Sequence, residues 1–183
     1  ERACYRRAAC VTVLTPAFRE NILRRGLLPE ARVRHVPSGV DTLEMAPEKR
    51  SDDLRARLGW SGRTVVLYTG AVGKANRVQQ LVEAAAILRG RRDLLFAVVG
   101  DGMEVDAIRR LAAERGLDNF VLHGPAPKEE MAAITASADI CAAVLMRNDT
   151  FKTVYPNKVF DYLACARPVV LGIDGIVRDL VES

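Results

Sequence analysis

The chain is 183 residues long, 49% hydrophobic and 27% charged, with a formal net charge of +4, which suits one soluble domain with a sizeable core or one domain plus a small appendage. The charge is uneven: residues 1–34 carry eight arginines against three glutamates, a net of +5, and the rest of the chain sums to −1. A basic segment beside a near-neutral body excludes a general nucleic-acid-binding surface, and no apolar run approaches the length of a membrane span.

Taken in chain order, residues 1–62 hold one strand–helix–strand unit: VTVLT (11–15), a helix around FRENILRRG (18–26) and VRHVPSGVD (33–41). The arginines of this segment read as a solvated face, with an acidic membrane surface or an anionic ligand as the alternative. PEKRSDDLRARLGW (47–60) follows as a surface helix, its polar load also a solvated face. From Thr64 the pattern repeats. TVVLYTG (64–70), LLFAVVGDG (94–102), NFVLHG (119–124), DICAAVL (139–145) and RPVVLGID (167–174) are apolar strand runs. Between them lie helical segments: RVQQLVEAAAILRG with Val78, Leu81, Val82 and Ala85 on one face, VDAIRRLAAERG, KEEMAAITASA behind Pro127, and NKVFDYLA. Strands apolar along their whole length, alternating with amphipathic helices, predict an α/β fold with a doubly wound parallel sheet, Rossmann-like, covered on both faces.

The four cysteines include no CxxC pair, and Cys141 and Cys165 sit in apolar runs as small hydrophobes. A disulfide framework is not expected, and a reducing cytoplasm is the expected compartment. His35 and His123 are isolated and read as local hydrogen-bonding residues; no metal-ligand spacing occurs. The chain opens without Met and reads as a piece of something longer.

Ligands in a sheet of this kind bind beyond the carboxyl ends of the strands. Gly70 and Gly73, with Lys74 and Arg77 close behind, form a loop whose backbone can approach an anion, a phosphate or diphosphate being the natural occupant. The bland reading is a tight turn. Gly100, Asp101 and Gly102 form a second such turn, where ordinary Asp-Gly turn chemistry is the alternative. The stretch YPNKVFDYLACARPVV (155–170) enters its helix through Pro156, with Asn157 as the expected cap and Lys158 and Asp161 on one side. An i,i+3 ion pair between them is worth only a few tenths of a kcal/mol. A carboxylate that accepts from sugar hydroxyls and a lysine that meets phosphate together fit a nucleotide.

VPSGVD (36–41), YTGAVGKAN (68–76), VVGDG (98–102), VLHGPAPKEEMAAITASADI (121–140) and PNKVFDYLACARPVV (156–170) resemble, in order and spacing, blocks of one enzyme family. It is the nucleotide-sugar domain of retaining two-Rossmann-domain (GT-B) glycosyltransferases of family four, or group 1. The resemblance is closest to members that build bacterial surface polysaccharides, acetamidosugar transferases among them. It implies that residues 1–35 are the end of an N-terminal domain and the interdomain connection. Residues 36–183 would be the nucleotide-sugar-binding domain, truncated at its C-terminus.

Carried over by position, Asp161 falls on the second glutamate of the family's Glu-x7-Glu pair, which contacts the nucleotide ribose, and Thr153 stands at the first. The family's diphosphate-binding Arg and Lys fall on Ala71 and Asn76, so Lys74, Arg77, Lys158 or backbone amides of Gly70–Lys74 are the expected substitutes. The loop from Gly124 and Pro125 to Lys128 matches the base-binding loop, which works through main-chain atoms. The resemblance assigns no catalytic residue to this chain.

It implies transfer of a glycosyl group with retention from a nucleoside diphosphate sugar, with a UDP-linked donor expected, to a polysaccharide or lipid-linked acceptor. No cofactor and no metal are expected. The expected partners are the nucleoside diphosphate sugar and an acceptor-binding N-terminal domain, with no nucleic acid. The expected location is the cytoplasm, with peripheral contact at the inner face of the membrane. The chain alone is expected to be inactive. Two alternatives stand beside this: half of a sugar-nucleotide epimerase, and a non-catalytic nucleotide-binding module.

Overall fold

The computed structural model describes residues 2–183. Its regular elements, in order, are α1 (Arg2–Arg7), β1 (Val11–Val13), α2 (Pro16–Arg24), β2 (Val33–His35), α3 (Asp52–Arg57), β3 (Thr64–Thr69), α4 (Gln79–Ile87), β4 (Leu94–Val99), α5 (Val105–Glu114), β5 (Phe120–Gly124), α6 (Met131–Ser137), β6 (Ile140–Val144), α7 (Asn157–Ala164), β7 (Val169–Gly172) and α8 (Ile176–Glu182). Five strands form one parallel sheet in the order β5-β4-β3-β6-β7, and β1 and β2 form a separate parallel pair.

The period of two along each strand decides which face receives which residue. Val65, Leu67, Leu95, Ala97, Cys141 and Ala143 pack with Leu54, Trp60, Ile134, Val159 and Tyr162 from the α3, α6 and α7 side. Phe96, Val98, Ala142 and Val144, with Tyr68, meet Val78, Leu81, Val82 and Ile108 on the α4 and α5 side. Both faces are covered, so both sets must be apolar, and the strands read as unbroken hydrophobic runs. Around β1 and β2 a smaller core gathers Val13, Ile22, Leu28 and Val33. Thr15 is the N-cap of α2, its Oγ1 accepting from Phe18 N at 3.2 Å, with Pro16 in the first turn. Among the described residues no helix is long and apolar enough to cross a membrane.

Three expectations about the helices are corrected. The run from Arg77 does not start a helix there: Arg77 is left-handed, with φ 47°, and α4 begins only at Gln79. Asn157 does not cap α7; Pro156 occupies the cap position, no side chain bonds there, and Asn157 is the first helical residue. Nor is residues 47–60 one solvated helix. It is a 3-10 turn at Pro47–Lys49 followed by α3, capped by Ser51 Oγ on Leu54 N at 3.2 Å.

Within that segment Arg55 is only 8% exposed, and Trp60 is fully buried. The Arg55 guanidinium donates to the carbonyls of Ser137 (2.5 Å), Arg63 (2.7 Å) and Trp60 (3.3 Å) and to Asp139 Oδ2 (3.1 Å). The same Asp139 oxygen accepts from Val65 N at 2.8 Å. One planar cation thereby ties the end of α6 and the amino ends of β3 and β6 together. His123, as expected, is a local partner: it accepts from Trp60 Nε1 at 3.0 Å, and burial lowers its pKa.

Replacing Arg55 with Met takes the guanidinium donors from three carbonyls and leaves the Asp139 carboxylate with Val65 N and the longer 3.4 Å pair to Arg50, and should cost about 3–5 kcal/mol in urea denaturation. Arg57→Ala, which removes an exposed 3.5 Å pair with Glu130, should cost less than about 1 kcal/mol. Equal losses in the two variants would show that the Arg55 clamp carries no special weight.

Candidate functional site

The site lies at the carboxyl ends of β3, β4 and β5, where three loops are bonded to one another. Gly70 N donates to Val99 O (2.9 Å), Gly100 N to Gly124 O (2.8 Å), Val72 N to Asp101 O (2.8 Å) and Glu104 N to Val72 O (3.0 Å). The approach is backbone on backbone. A Cβ on Gly100 would sit 1.8 Å from the Gly70 carbonyl oxygen, and one on Gly102 2.4 Å from that of Val72. Gly100 and Gly102 are therefore required by loop packing, and Asp101 Oδ1 accepts from Gly102 N at 2.8 Å in a local turn. Their part is to hold the Gly70–Asn76 loop from behind. That loop is also fastened at the Ala71 carbonyl, which accepts from Tyr68 Oη at 2.8 Å and Asn76 Nδ2 at 2.6 Å. The amides of Gly70 and Val72 are already committed, which reduces what this run can offer to an anion.

α7 brings the side chains. Tyr162 is fully buried, and its hydroxyl accepts from Thr69 N at 2.9 Å and lies 3.1 Å from Thr69 Oγ1. This pins the first turns of α7 to the carboxyl end of β3, so Lys158 and Asp161 face Gly70. A cleft of about 550 Å³ opens there, bounded by Gly39, Asp41, Glu44, Thr69, Gly70, Lys128, Lys158 and Asp161.

Lys158 and Asp161 do not form the i,i+3 ion pair that was the bland alternative. Lys158 Nζ is buried, has no hydrogen-bond partner, and stands 3.6 Å from the centroid of the Tyr68 ring. Burial pulls its pKa from 10.5 down to about 7, because a desolvated ammonium without an anion is costly. Asp161 is half-buried, and burial, followed by the neighbouring Glu44 charge, raises its pKa.

The predicted residues thus divide. Gly70, Lys158 and Asp161 share the cleft, with Lys128 at the end of the loop that begins at Gly124 and Pro125. Gly124 adopts φ 82° and accepts from Gly100 N, while Pro125 is exposed. Gly73 caps the 3-10 turn Lys74–Asn76, and Lys74 is exposed without lining the cleft. Arg77 lines a different, larger cleft of about 760 Å³ beside Gln80, Arg147 and the carboxyl ends of β6 and β7. Two cations of that larger cleft are already paired, Lys152 with Asp149 at 3.1 Å and Arg178 with Glu182 at 2.8 Å. The unsatisfied buried cation lies in the smaller one, which is the stronger candidate for an anion. Thr153 lines neither, its Oγ1 donating to Thr150 O at 2.7 Å.

Sequence reasoning passed over Tyr68, Glu44 and Tyr162. Tyr68 carried a signal: it is the one aromatic residue in the strand TVVLYT, with a hydroxyl that needs a partner. Asp41 stood in VPSGVD without being assigned to the site; its Oδ1 accepts from Leu43 N (2.9 Å) and Glu44 N (3.2 Å) and shapes the turn that presents Glu44. Among the described residues no group of three or more His, Cys, Asp or Glu is placed to hold a metal.

This arrangement, a parallel sheet whose carboxyl edge presents a buried cation beside a carboxylate, meets independent likenesses. Residues 63–183 match the family model for glycosyl transferases group 1, and the chain belongs to that family. α-D-Kanosaminyltransferase of Streptomyces kanamyceticus is 35% identical over 124 residues, 66% of this chain and 32% of that protein. The GDP-mannose-dependent α-(1-6)-phosphatidylinositol monomannoside mannosyltransferase of Mycolicibacterium smegmatis is 30% identical over 152 residues, 80% of this chain and 40% of that protein. Anabaena Alr3699/HepE, crystallised in complex with UDP, superposes with a TM-score of 0.80 at 20% identity, covering 98% of this chain and 49% of that one. WaaG, a glycosyltransferase involved in lipopolysaccharide biosynthesis, gives 0.75 at 18% identity, covering 93% and 46%. The fold is the Rossmann-like α/β fold of GT-B glycosyltransferases, and the chain spans a third to a half of these relatives' lengths.

Replacing Lys158 with Met removes the unsatisfied ammonium and should stabilise the unliganded chain by about 1–3 kcal/mol near neutral pH. Because the folded pKa, about 7, lies below the ordinary 10.5, the unfolded chain binds a proton in that window that the folded chain lacks. Wild-type stability therefore gains with rising pH, and the advantage of Lys158→Met should shrink towards pH 10.5. Paired thermal melts across that window check this; a pH-independent difference would mean that Lys158 is an ordinary solvated lysine.

Proposed function

We propose that this chain is the donor-binding part of a glycosyltransferase, holding a nucleoside diphosphate sugar in the cleft between Gly70, Lys158 and Asp161. The observation that carries the reading is the buried, unpaired Lys158 Nζ at Gly70, with Asp161 on the same helix face. Lys158 meets the diphosphate and takes the place of the basic residues absent at Ala71 and Asn76. Asp161 accepts from ribose hydroxyls, and the Gly124–Lys128 loop meets the base. The donor is UDP-linked, a choice supported by a structural neighbour crystallised with UDP and with UDP-glucose. The mannosyltransferase relative is named for GDP-mannose, so the base is the first quantity to measure.

In the reaction the bond between the anomeric carbon and the diphosphate oxygen breaks, and negative charge grows on the leaving diphosphate. A cation fixed at that oxygen stabilises the transition state more than the ground state. We place retention at the anomeric carbon, an acetamidosugar or hexosyl donor, and a polysaccharide or lipid-linked acceptor in the same reading. The acceptor is bound by parts of the enzyme outside residues 36–183, so the 183-residue chain binds donor without transferring it.

Calorimetric titration with UDP, GDP and ADP should give binding of one diphosphate in preference to the others. Asp161→Asn should weaken that binding by about 1–3 kcal/mol, the range for a hydrogen bond to a charged group. Equal silence towards all three diphosphates would remove the donor-site reading. Unchanged affinity in the Asn variant would leave Asp161 without a role at the ribose.

A further inference from the structure

Lys158 offers more than a positive charge. Its Nζ is sealed between the Tyr68 ring, 3.6 Å away, and the Gly70 backbone, where even a Cβ would approach it to 3.3 Å. It has no hydrogen-bond acceptor. The charged groups facing this cleft from the packed elements are Asp161 on α7, Glu44 and Asp41 on the 36–46 segment, and Lys128 before α6. None of the carboxylates forms an ion pair with Nζ, and Tyr68 spends its hydroxyl on Ala71 O at 2.8 Å. Among the described residues the contact that favours a charged amine is the Tyr68 ring face, a modest attraction. An empty cleft therefore holds this amine under conditions that favour the neutral form.

We propose that binding of a nucleoside diphosphate at this cleft is coupled to uptake of one proton from solvent onto Lys158 Nζ. The proposal rests on the donor-site reading above and adds to it how the site is switched. An arriving diphosphate brings the anionic oxygens that the site lacks. The amine then gains a proton, and an ammonium–phosphate pair forms where an uncharged amine stood. The proton comes from the buffer and stays on Nζ while the diphosphate remains. Burial alone already brings the Lys158 pKa to about 7, so the uptake is readable at mildly alkaline pH. Tyr68, its pKa raised by burial, keeps its proton throughout.

Linkage gives the sign. Above the pKa of the free site each bound diphosphate must recruit a proton, so affinity falls about tenfold for each pH unit. A lysine already charged in the empty site would give a flat profile over the same range. The experiment is calorimetric titration of the chain with UDP at about pH 8, in HEPES and in Tris, whose ionisation enthalpies differ. UDP itself is fully ionised there, so it releases and takes up nothing. The expected result is close to one proton taken up per UDP, and none in Lys158→Arg, whose guanidinium is always charged. The arginine variant also separates Lys158 from Asp41, Glu44, Asp161 and Lys128, which it leaves in place. If that variant fails to bind, NMR titration of lysine Cε signals in the wild type reads the same quantity, and Lys158 should titrate at higher pH with UDP than without. UDP binding with no proton uptake and a flat affinity overturns the coupling while leaving the donor site intact. Absence of UDP, GDP and ADP binding overturns the donor site itself, and the coupling with it.

Discussion

The whole carboxyl edge of this molecule depends on one buried hydrogen bond, from the Thr69 amide to the Tyr162 hydroxyl at 2.9 Å. Thr69 ends β3, and its amide lies where the sheet would otherwise leave a donor unpaired beside a loop. Tyr162 supplies the partner from a helix that begins directly after the twelve-residue excursion 145–156. By filling that need it sets the rotation of α7 about its own axis. Residues one position and four positions earlier, Asp161 and Lys158, then have no choice but to face the cleft. The buried phenol is thus a register pin, and the two charged groups follow from it.

The same geometry makes the site costly to maintain. Lys158 buries its stem and its nitrogen against Tyr68 and receives no anion in return. Such a group lowers stability in the empty protein, as functional groups in clefts commonly do. The Arg55 cluster at the opposite edge shows the contrast. There the cation is equally withdrawn from water, but four acceptors surround it. One buried cation is satisfied and structural; the other is unsatisfied and borders a cleft.

Much of the fold was legible because burial on both faces writes itself into a strand as an unbroken apolar run, and all five main strands were recovered that way. Their carboxyl ends then located the loops that matter. The failures have separate causes. Arg55 sits in a charged run whose local pattern is that of a solvated helix, and acceptors more than eighty residues away, the Ser137 carbonyl and the Asp139 carboxylate, help make it a core residue. The start of α4 was placed too early because nothing in the sequence marks Arg77 as left-handed. Lys158 was visible as a charge but not as a desolvated one, since its isolation depends on Tyr68, ninety residues away in the chain. Gly100 and Gly102 were seen as ligand-approach glycines, whereas they lie against Gly70 and Val72.

That last contact bears on how the sequence of this loop can change over evolutionary time. Because the loops meet through backbone, the side chains at Ala71 and Lys74 take no part in holding the loop's shape, whereas that of Asn76 fastens the Ala71 carbonyl. Ala71 and Lys74 are both exposed, and the Ala71 carbonyl is the group through which that pair serves the fold. Residues at Ala71 and Lys74 can therefore be exchanged, and the charge of this edge altered, without rebuilding the scaffold. An alanine at 71 in the loop, with a buried lysine on the facing helix, is one arrangement that freedom permits.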